Sequence, residues 1–140
     1  MTHEFLEHTA DIRMRVTGGS LEEVFASGVA GMMELLQPRP AAGGPAAQPA
    51  SRRRSVALAA PDRTALLIDF LNAVLLSAQT HRESYPRVDF RRLTDRELAA
   101  ELEGTPVEAF GEDVKAVTYH EADLRPGAEG SWSTVVVFDI

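Results

Sequence analysis

Cysteine is absent from this 140-residue chain, and aromatic residues make up only 6% of it. Without cysteine, disulfide bonds and thiolate zinc sites are excluded, so any metal ion must take oxygen or imidazole ligands. No apolar run approaches the roughly 20 residues that a membrane-spanning helix needs. The first residues lack the basic and apolar segments of a signal peptide. We therefore expect a cytoplasmic protein that does not contact a membrane.

Basic residues are also scarce, since 14 Lys and Arg stand against 21 Asp and Glu and give a net charge of −7. A protein that binds RNA through its phosphates usually carries a basic face, so strong direct nucleic-acid binding is not expected. Two explanations of the acidic charge stay open, namely contact with a basic protein partner and ordinary solubility. The apolar fraction of 44% allows a folded core, and the length fits one domain over residues 1–140.

Two segments have the features of amphipathic helices. Ser20 and Glu23 form a capping box, in which the serine hydroxyl accepts from the Glu23 N–H and the glutamate returns to the Ser20 N–H. A helix is therefore predicted to about residue 36. Asp62 can cap a second helix over residues 63–80, where a broad apolar face predicts the main core helix.

Strands are predicted where apolar and polar side chains alternate. The segments with this pattern are residues 12–16, 97–103 and 114–120. Strands are also predicted over residues 55–60, 88–93 and 132–139, and the last is apolar enough over residues 135–138 to lie centrally. Gly104-Thr105-Pro106 predicts a turn. Two helices and a run of consecutive strands indicate an α+β fold, with two helices packed on a largely antiparallel sheet.

The segment at about residues 37–53 predicts a flexible loop. Four prolines and two glycines lie within residues 37–51, and such a stretch cannot bury much surface. Arg52, Arg53 and Arg54 follow it. This run either meets a phosphate or forms the solvated end of the loop, and the solvated end is the expectation.

Polar residues at strand ends are the candidates for chemistry, because no phosphate-binding loop, hydrolase motif or metalloprotease motif is present. His8 and Asp11 lie where the first extended segment breaks, and Asp139 and the terminal carboxylate of Ile140 follow the last strand. If the three anionic groups met, either some would be protonated or a cation would neutralise them. Oxygen ligands suit Ca²⁺, Mg²⁺ or Mn²⁺. Spacing alone leaves separate, solvated carboxylates open.

Lys115 and His120 lie on the strand predicted over residues 114–120. The pattern favours an outward-facing Lys115 and a partly buried, hydrogen-bonded His120. His3 and His81 are expected at the surface.

Taken together, five segments in order resemble the archease family. They are Phe5–Asp11, Gly18–Phe25, Leu66–Asn72, Val114–His120 and Val137–Ile140. The resemblance covers nearly the whole chain and implies an archease-like fold. It also implies an accessory protein, not an enzyme, that activates the GTP- and Mn²⁺-dependent ligase of tRNA splicing and RNA repair. Such factors promote guanylylation of the ligase and so its multiple turnover.

The resemblance further implies a metal site formed by Asp11, Asp139 and Ile140. The bound ion would be a divalent cation, with Ca²⁺ expected and Mg²⁺ or Mn²⁺ as alternatives. Lys115 is implied to be functionally important, and His8 and His120 are further candidates for partner contact or activation. Residues 37–51 depart from the family pattern, because this connector is longer than usual.

Two other functions remain open. The first is a metal-dependent phosphohydrolase that uses His8, Asp11, Lys115 and Asp139, although few ligands are available for a second metal ion. The second is a chaperone-like interaction module without a metal, in which exposed apolar surface would matter instead of the carboxylates.

Overall fold

The computed structural model describes residues 2–6, 11–41 and 52–140. The described part of the chain contains two long helices and nine strands. The helices are α1 (Leu21–Leu36) and α2 (Arg63–His81). The strands are β1 (Thr2–Leu6), β2 (Ile12–Gly18), β3 (Pro38–Pro40), β4 (Arg52–Ala59), β5 (Glu83–Leu93), β6 (Glu97–Phe110), β7 (Ala116–Thr118), β8 (Arg125–Pro126) and β9 (Trp132–Asp139).

Both helices begin at the predicted capping residues. Ser20 Oγ accepts the Glu23 N–H at 3.2 Å, and the Glu23 carboxylate accepts the N–H of Gly19 at 2.6 Å. Asp62 accepts the Ala65 N–H at 2.8 Å. These bonds satisfy amides that have no partner within the first helical turn. No helix among the described residues is both long and apolar enough to cross a membrane.

The strands form two antiparallel sheets, where a single sheet was expected. The first has the order β1-β2-β9-β7, with β8 also paired to β9. The second is built around β6, which pairs with β3, β4 and β5. Both helices contact strands of both sheets, so the apolar core lies on either side of the helices. This explains why α2 buries a broad set of side chains, including Leu67, Phe70 and Val74.

Strand β6 shows that the turn predicted at residues 104–106 was wrong. It continues for 14 residues through Gly104-Thr105-Pro106. Pro106 is paired with Glu83, the first residue of β5. Strand β5 begins at Glu83, five residues before the predicted start.

The flexible loop predicted at about residues 37–53 is only partly addressed by the structure. Residues 42–51 lie outside the described residues. At its two ends the prediction was wrong, since residues 38–40 form β3 and Arg52 and Arg53 belong to β4. Both segments are extended because each pairs with β6.

The arginine run is not a loop end, because it begins β4. The expected exposure holds for Arg52 and Arg53 but not for Arg54. Arg54 turns inward from β4 and donates to both carboxylate oxygens of Glu83, at 2.9 and 3.0 Å. Glu83 is fully buried. A buried carboxylate requires a paired charge, and Arg54, whose side chain is 29% exposed, supplies that charge from the edge of the core.

Candidate functional site

The strand register places Asp11 next to Asp139. Ile12 is paired with Phe138 at the beginning of β2 and the end of β9. Because the strands are antiparallel, the residue before Ile12 lies opposite the residue after Phe138. Asp11 and Asp139 are therefore neighbours at one end of the first sheet, although 128 positions separate them in the sequence.

Lys115 joins the same end of the sheet. Its backbone N–H donates to the backbone oxygen of Asp139 at 2.8 Å, and Ala116 is paired with Asp139. The side chain of Lys115 is exposed, as are Asp139 and Ile140. We call the group of Asp11, Lys115, Asp139 and Ile140 the carboxylate tip. It combines an ammonium group with two aspartates and Ile140, on segments that are distant in sequence.

A cleft of about 680 Å³ opens beside Lys115. Its walls carry three carboxylates and two cationic side chains; the charged lining residues are Arg82, Glu108, Glu112, Asp113 and Lys115. The surroundings of the tip are thus more acidic than basic. Such a surface attracts cations and basic partners and repels a phosphate backbone.

Of the two histidines named as candidates, the structure describes only His120, which does not join the tip. His120 follows Thr118, which is paired with Val137, and the register therefore carries it away from Asp139. Its side chain is 73% exposed and lies 3.8 Å from a Glu121 oxygen. The expectation of a partly buried His120 was wrong, because the chain leaves the sheet after Thr118. His8 lies outside the described residues.

The two remaining histidines differ from each other. His81 is exposed at the end of α2, as predicted. His3 is partly exposed, at 24%, and its Nε2 lies 2.5 Å from the exposed Glu34 of α1, so it lies at the surface but is held by a helix. The contact attaches the edge strand β1 to the helix beneath it.

Three polar side chains of α2 were missed as contributors to this region. Asn72 and Gln79 hydrogen-bond to the backbone of residues 114–117, and Asp69 accepts from the hydroxyl of Tyr119. That hydrogen bond, together with partial burial and the nearby negative charge, raises the pKa of the Tyr119 hydroxyl. A sequence signal was present, since Asn72 and Gln79 interrupt an apolar helix two turns apart.

The donors at the tip are compatible with a hard cation but do not form a complete side-chain site. Among the described residues, no group of three or more His, Cys, Asp or Glu side chains could hold a metal ion. The register makes Asp11 and Asp139 neighbours, and these two side chains alone do not complete a coordination shell. Oxygen donors of this type suit Ca²⁺, Mg²⁺ and Mn²⁺.

Comparisons with known proteins match nearly the whole chain. The model of the Archease protein family (MTH1598/TM1083) matches residues 3–140. Two proteins named Protein archease, from Methanosarcina acetivorans and Methanosarcina mazei, are each 30% identical to this chain. Each alignment covers 99% of this chain and 95% of the relative.

Solved structures share the fold. Protein 1598 of Methanobacterium thermoautotrophicum has a TM-score of 0.69 at 25% identity, covering 99% of this chain and 98% of that one. A Thermotoga maritima protein, described as an archease and possible chaperone, has a TM-score of 0.69 at 21% identity. It covers 96% of this chain and 94% of its own, and the likeness concerns the fold alone. The predicted α+β class is confirmed.

Proposed function

Because this chain belongs to the archease family, we propose that it is a cytoplasmic accessory protein that activates the GTP-dependent ligase of tRNA splicing and RNA repair. It would promote guanylylation of the ligase, so that the ligase completes many rounds of RNA joining. The observation that supports this role best is the pairing of Ile12 with Phe138. This pairing makes Asp11 a neighbour of Asp139, next to the exposed Lys115, and we infer that this group contacts a partner's active site.

Each residue of the carboxylate tip has a plausible chemical task at such a site. The Lys115 ammonium can hold a phosphate oxygen of GTP as a compact point charge. Asp11 and Asp139 can attract a cation or a basic side chain of the ligase. Asp11, Asp139 and Ile140 would hold a divalent metal ion, and that ion would supply positive charge next to the nucleotide phosphates.

The partner is inferred to be a protein with a basic surface. The chain carries a net charge of −7, and the cleft beside Lys115 adds Glu108, Glu112 and Asp113 to the acidic surroundings. Strong direct binding to RNA is not part of the proposal, because the phosphate backbone would be repelled at this end.

A chaperone-like module is the second candidate, and two exposed apolar side chains favour it. Leu76 is 66% exposed and Tyr119 is 58% exposed, and exposed apolar surface can bind other proteins. Titration of the protein with Ca²⁺ and Mn²⁺ separates the two candidates. A metal bound at the tip raises the melting temperature by mass action, whereas a metal-independent module shows no shift.

The direct test is multiple-turnover ligation by a cognate ligase with GTP and Mn²⁺, with and without this protein. We expect stimulation by the unaltered protein and a loss of at least about tenfold with Asp139→Asn, since a desolvated charge at an interface contributes strongly. Asp89→Asn is the matched control, because Asp89 lies on the second sheet beside Arg87. Full stimulation by Asp139→Asn would remove the tip from the mechanism.

The phosphohydrolase alternative is tested separately, in an assay without the ligase. It predicts phosphoester turnover by the pure protein with Mn²⁺ when no ligase is present. It also predicts that Asp139→Asn abolishes this turnover.

A further inference from the structure

The segment that carries Lys115 is held from α2 by a side-chain amide. Asn72 donates from Nδ2 to the Val117 oxygen at 2.8 Å, and its Oδ1 accepts the Val117 N–H at 2.9 Å. Among the described strands, β7 pairs only with β9. A carboxamide presents one acceptor and a donor, as a peptide group does. Asn72 therefore occupies the place of a neighbouring strand on the other edge of β7.

A second amide acts on the other side of Lys115. Gln79 donates from Nε2 to the Val114 oxygen at 2.8 Å. The side chains of Val114 and Val117 are 0% and 3% exposed and anchor the same segment in the core. The backbone is thus fixed just before and just after Lys115, whose own N–H is bonded to Asp139.

This support is needed because regular structure supplies little of it. Strand β7 has only three residues, and residues 113–115 belong to no helix or strand. A short edge strand is easily displaced, since few backbone hydrogen bonds hold it. An exposed lysine with four rotatable bonds has a defined reach only if its backbone is fixed.

We propose that Asn72 is a positioning residue of the carboxylate tip, and that with Gln79 it fixes the backbone that presents Lys115 beside Asp139. The proposal rests on the proposed function for its biological consequence. Its structural part, that the carboxamide holds the Lys115 segment against Asp139, stands on the hydrogen bonds alone.

The test uses two variants and one control in the full chain. Asn72→Asp keeps the shape of the side chain but places an oxygen where Nδ2 donates to Val117. Gln79→Met removes the hydrogen bond to Val114 while keeping the length of the side chain. It is the second test of the proposal and replaces Asn72→Asp if that variant does not fold. Ser77→Ala is the control, because Ser77 lies on the same helix but is bonded to Tyr85 of the second sheet.

Amide hydrogen exchange gives a readout without the ligase. We expect the amides of Lys115 and Val117 to exchange at least about fivefold faster in Asn72→Asp, the factor that one lost hydrogen bond of typical net strength produces. The amides of β2 should keep their exchange rates, and Ser77→Ala should leave Lys115 unchanged. Unaltered exchange at Lys115 in both folded amide variants would overturn the proposal.

Stimulation of the ligase gives the second readout. Asn72→Asp should lower the maximal stimulation, because Lys115 is then held less well at the ligase's active site. The half-saturating concentration should change by less than about twofold, because the affinity of the two proteins for each other does not depend on this contact. In a Lys115→Ala background Asn72→Asp should cause no further loss, since Asn72 acts through Lys115. Additive losses, or an equal loss with Ser77→Ala, would indicate general destabilisation and contradict the proposal.

The proposed function and the proposed role of Asn72 would be contradicted by different results. If the unaltered protein does not stimulate the ligase, the proposed function is wrong, and the exchange rates still decide whether Asn72 holds the Lys115 segment. If stimulation is present and the exchange rates do not respond, the proposed function stands and the role of Asn72 is wrong.

Discussion

Glu83 illustrates at the scale of single residues how a charge is kept inside this protein. Its carboxylate is fully buried, and burial is the largest influence on its pKa, which it raises. Hydrogen bonds from Arg54 and Tyr85 act in the opposite direction and leave the pKa of Glu83 below its usual value. Burial of the Tyr85 hydroxyl, only partly offset by its bond to Ser77, raises the pKa of Tyr85 to about 12. The four side chains connect β4, β5 and α2.

Glu83→Gln should therefore destabilise the fold. The substitution removes the charge that compensates Arg54, and we expect a loss of about 2 kcal/mol in the free energy of unfolding. Urea unfolding at neutral pH measures it. Glu101→Gln is the matched control, because Glu101 pairs with Arg53 and Arg91 but is 29% exposed on the outer face of the second sheet. A loss no larger than that of the control would show that the pair contributes little.

The same residue predicts a pH dependence. Because the pKa of Glu83 is lower in the folded state than in the unfolded chain, its contribution is present above about 4.3 and is lost as the pH falls through the folded-state value. Stability should thus fall more steeply in acid for the unaltered protein than for Glu83→Gln. Parallel curves from pH 7 to pH 3 would contradict this assignment.

Residue-level prediction succeeded where the signal was local. Ser20 and Asp62 cap their helices because each acts on an amide three residues ahead. The position of Arg54 could not be predicted, because its partner lies 29 residues away and meets it only across β6. The contact of Asn72 with Val117 could not be predicted for the same reason, because the two residues are 45 positions apart.

At the scale of secondary-structure elements, strand β6 shows where prediction from composition failed. Gly104-Thr105-Pro106 has the composition of a turn, yet Gly104 is there because the Tyr85 ring lies against its backbone. A Cβ at this position would lie 2.8 Å from Tyr85 Cε1. Tyr85 cannot retreat, since Ser77 and Glu83 hold its hydroxyl. Composition does not distinguish a glycine used for close approach from one used for a turn.

Gly104→Ala is predicted to destabilise the second sheet. We expect a cost of about 1–3 kcal/mol, the range for overpacking a close contact, measured by urea unfolding. Gly127→Ala is the control, because its nearest contact would be 3.4 Å from Ser131 Oγ. Equal stability of the two variants would show that the Tyr85 ring moves aside easily.

At the scale of the whole molecule, two antiparallel sheets enclose the helices and bring distant segments to one end. Strand order and the two-sheet arrangement could not be predicted, because they depend on pairings such as Ile12 with Phe138. The meeting of Asp11 with Asp139 was expected only from the resemblance to a family. Spacing alone could not distinguish it from separate carboxylates.

The central claim is that Asp11 and Asp139 act as one site on the ligase, and a double-mutant cycle tests it most directly. The measured quantity is the rate of ligase guanylylation by GTP in the presence of Asp11→Asn, Asp139→Asn, the double variant and the unaltered protein. Residues that share a site are not additive, so the double variant should stimulate no less than the weaker single variant. Losses that multiply, or stimulation that survives both substitutions, would contradict the account.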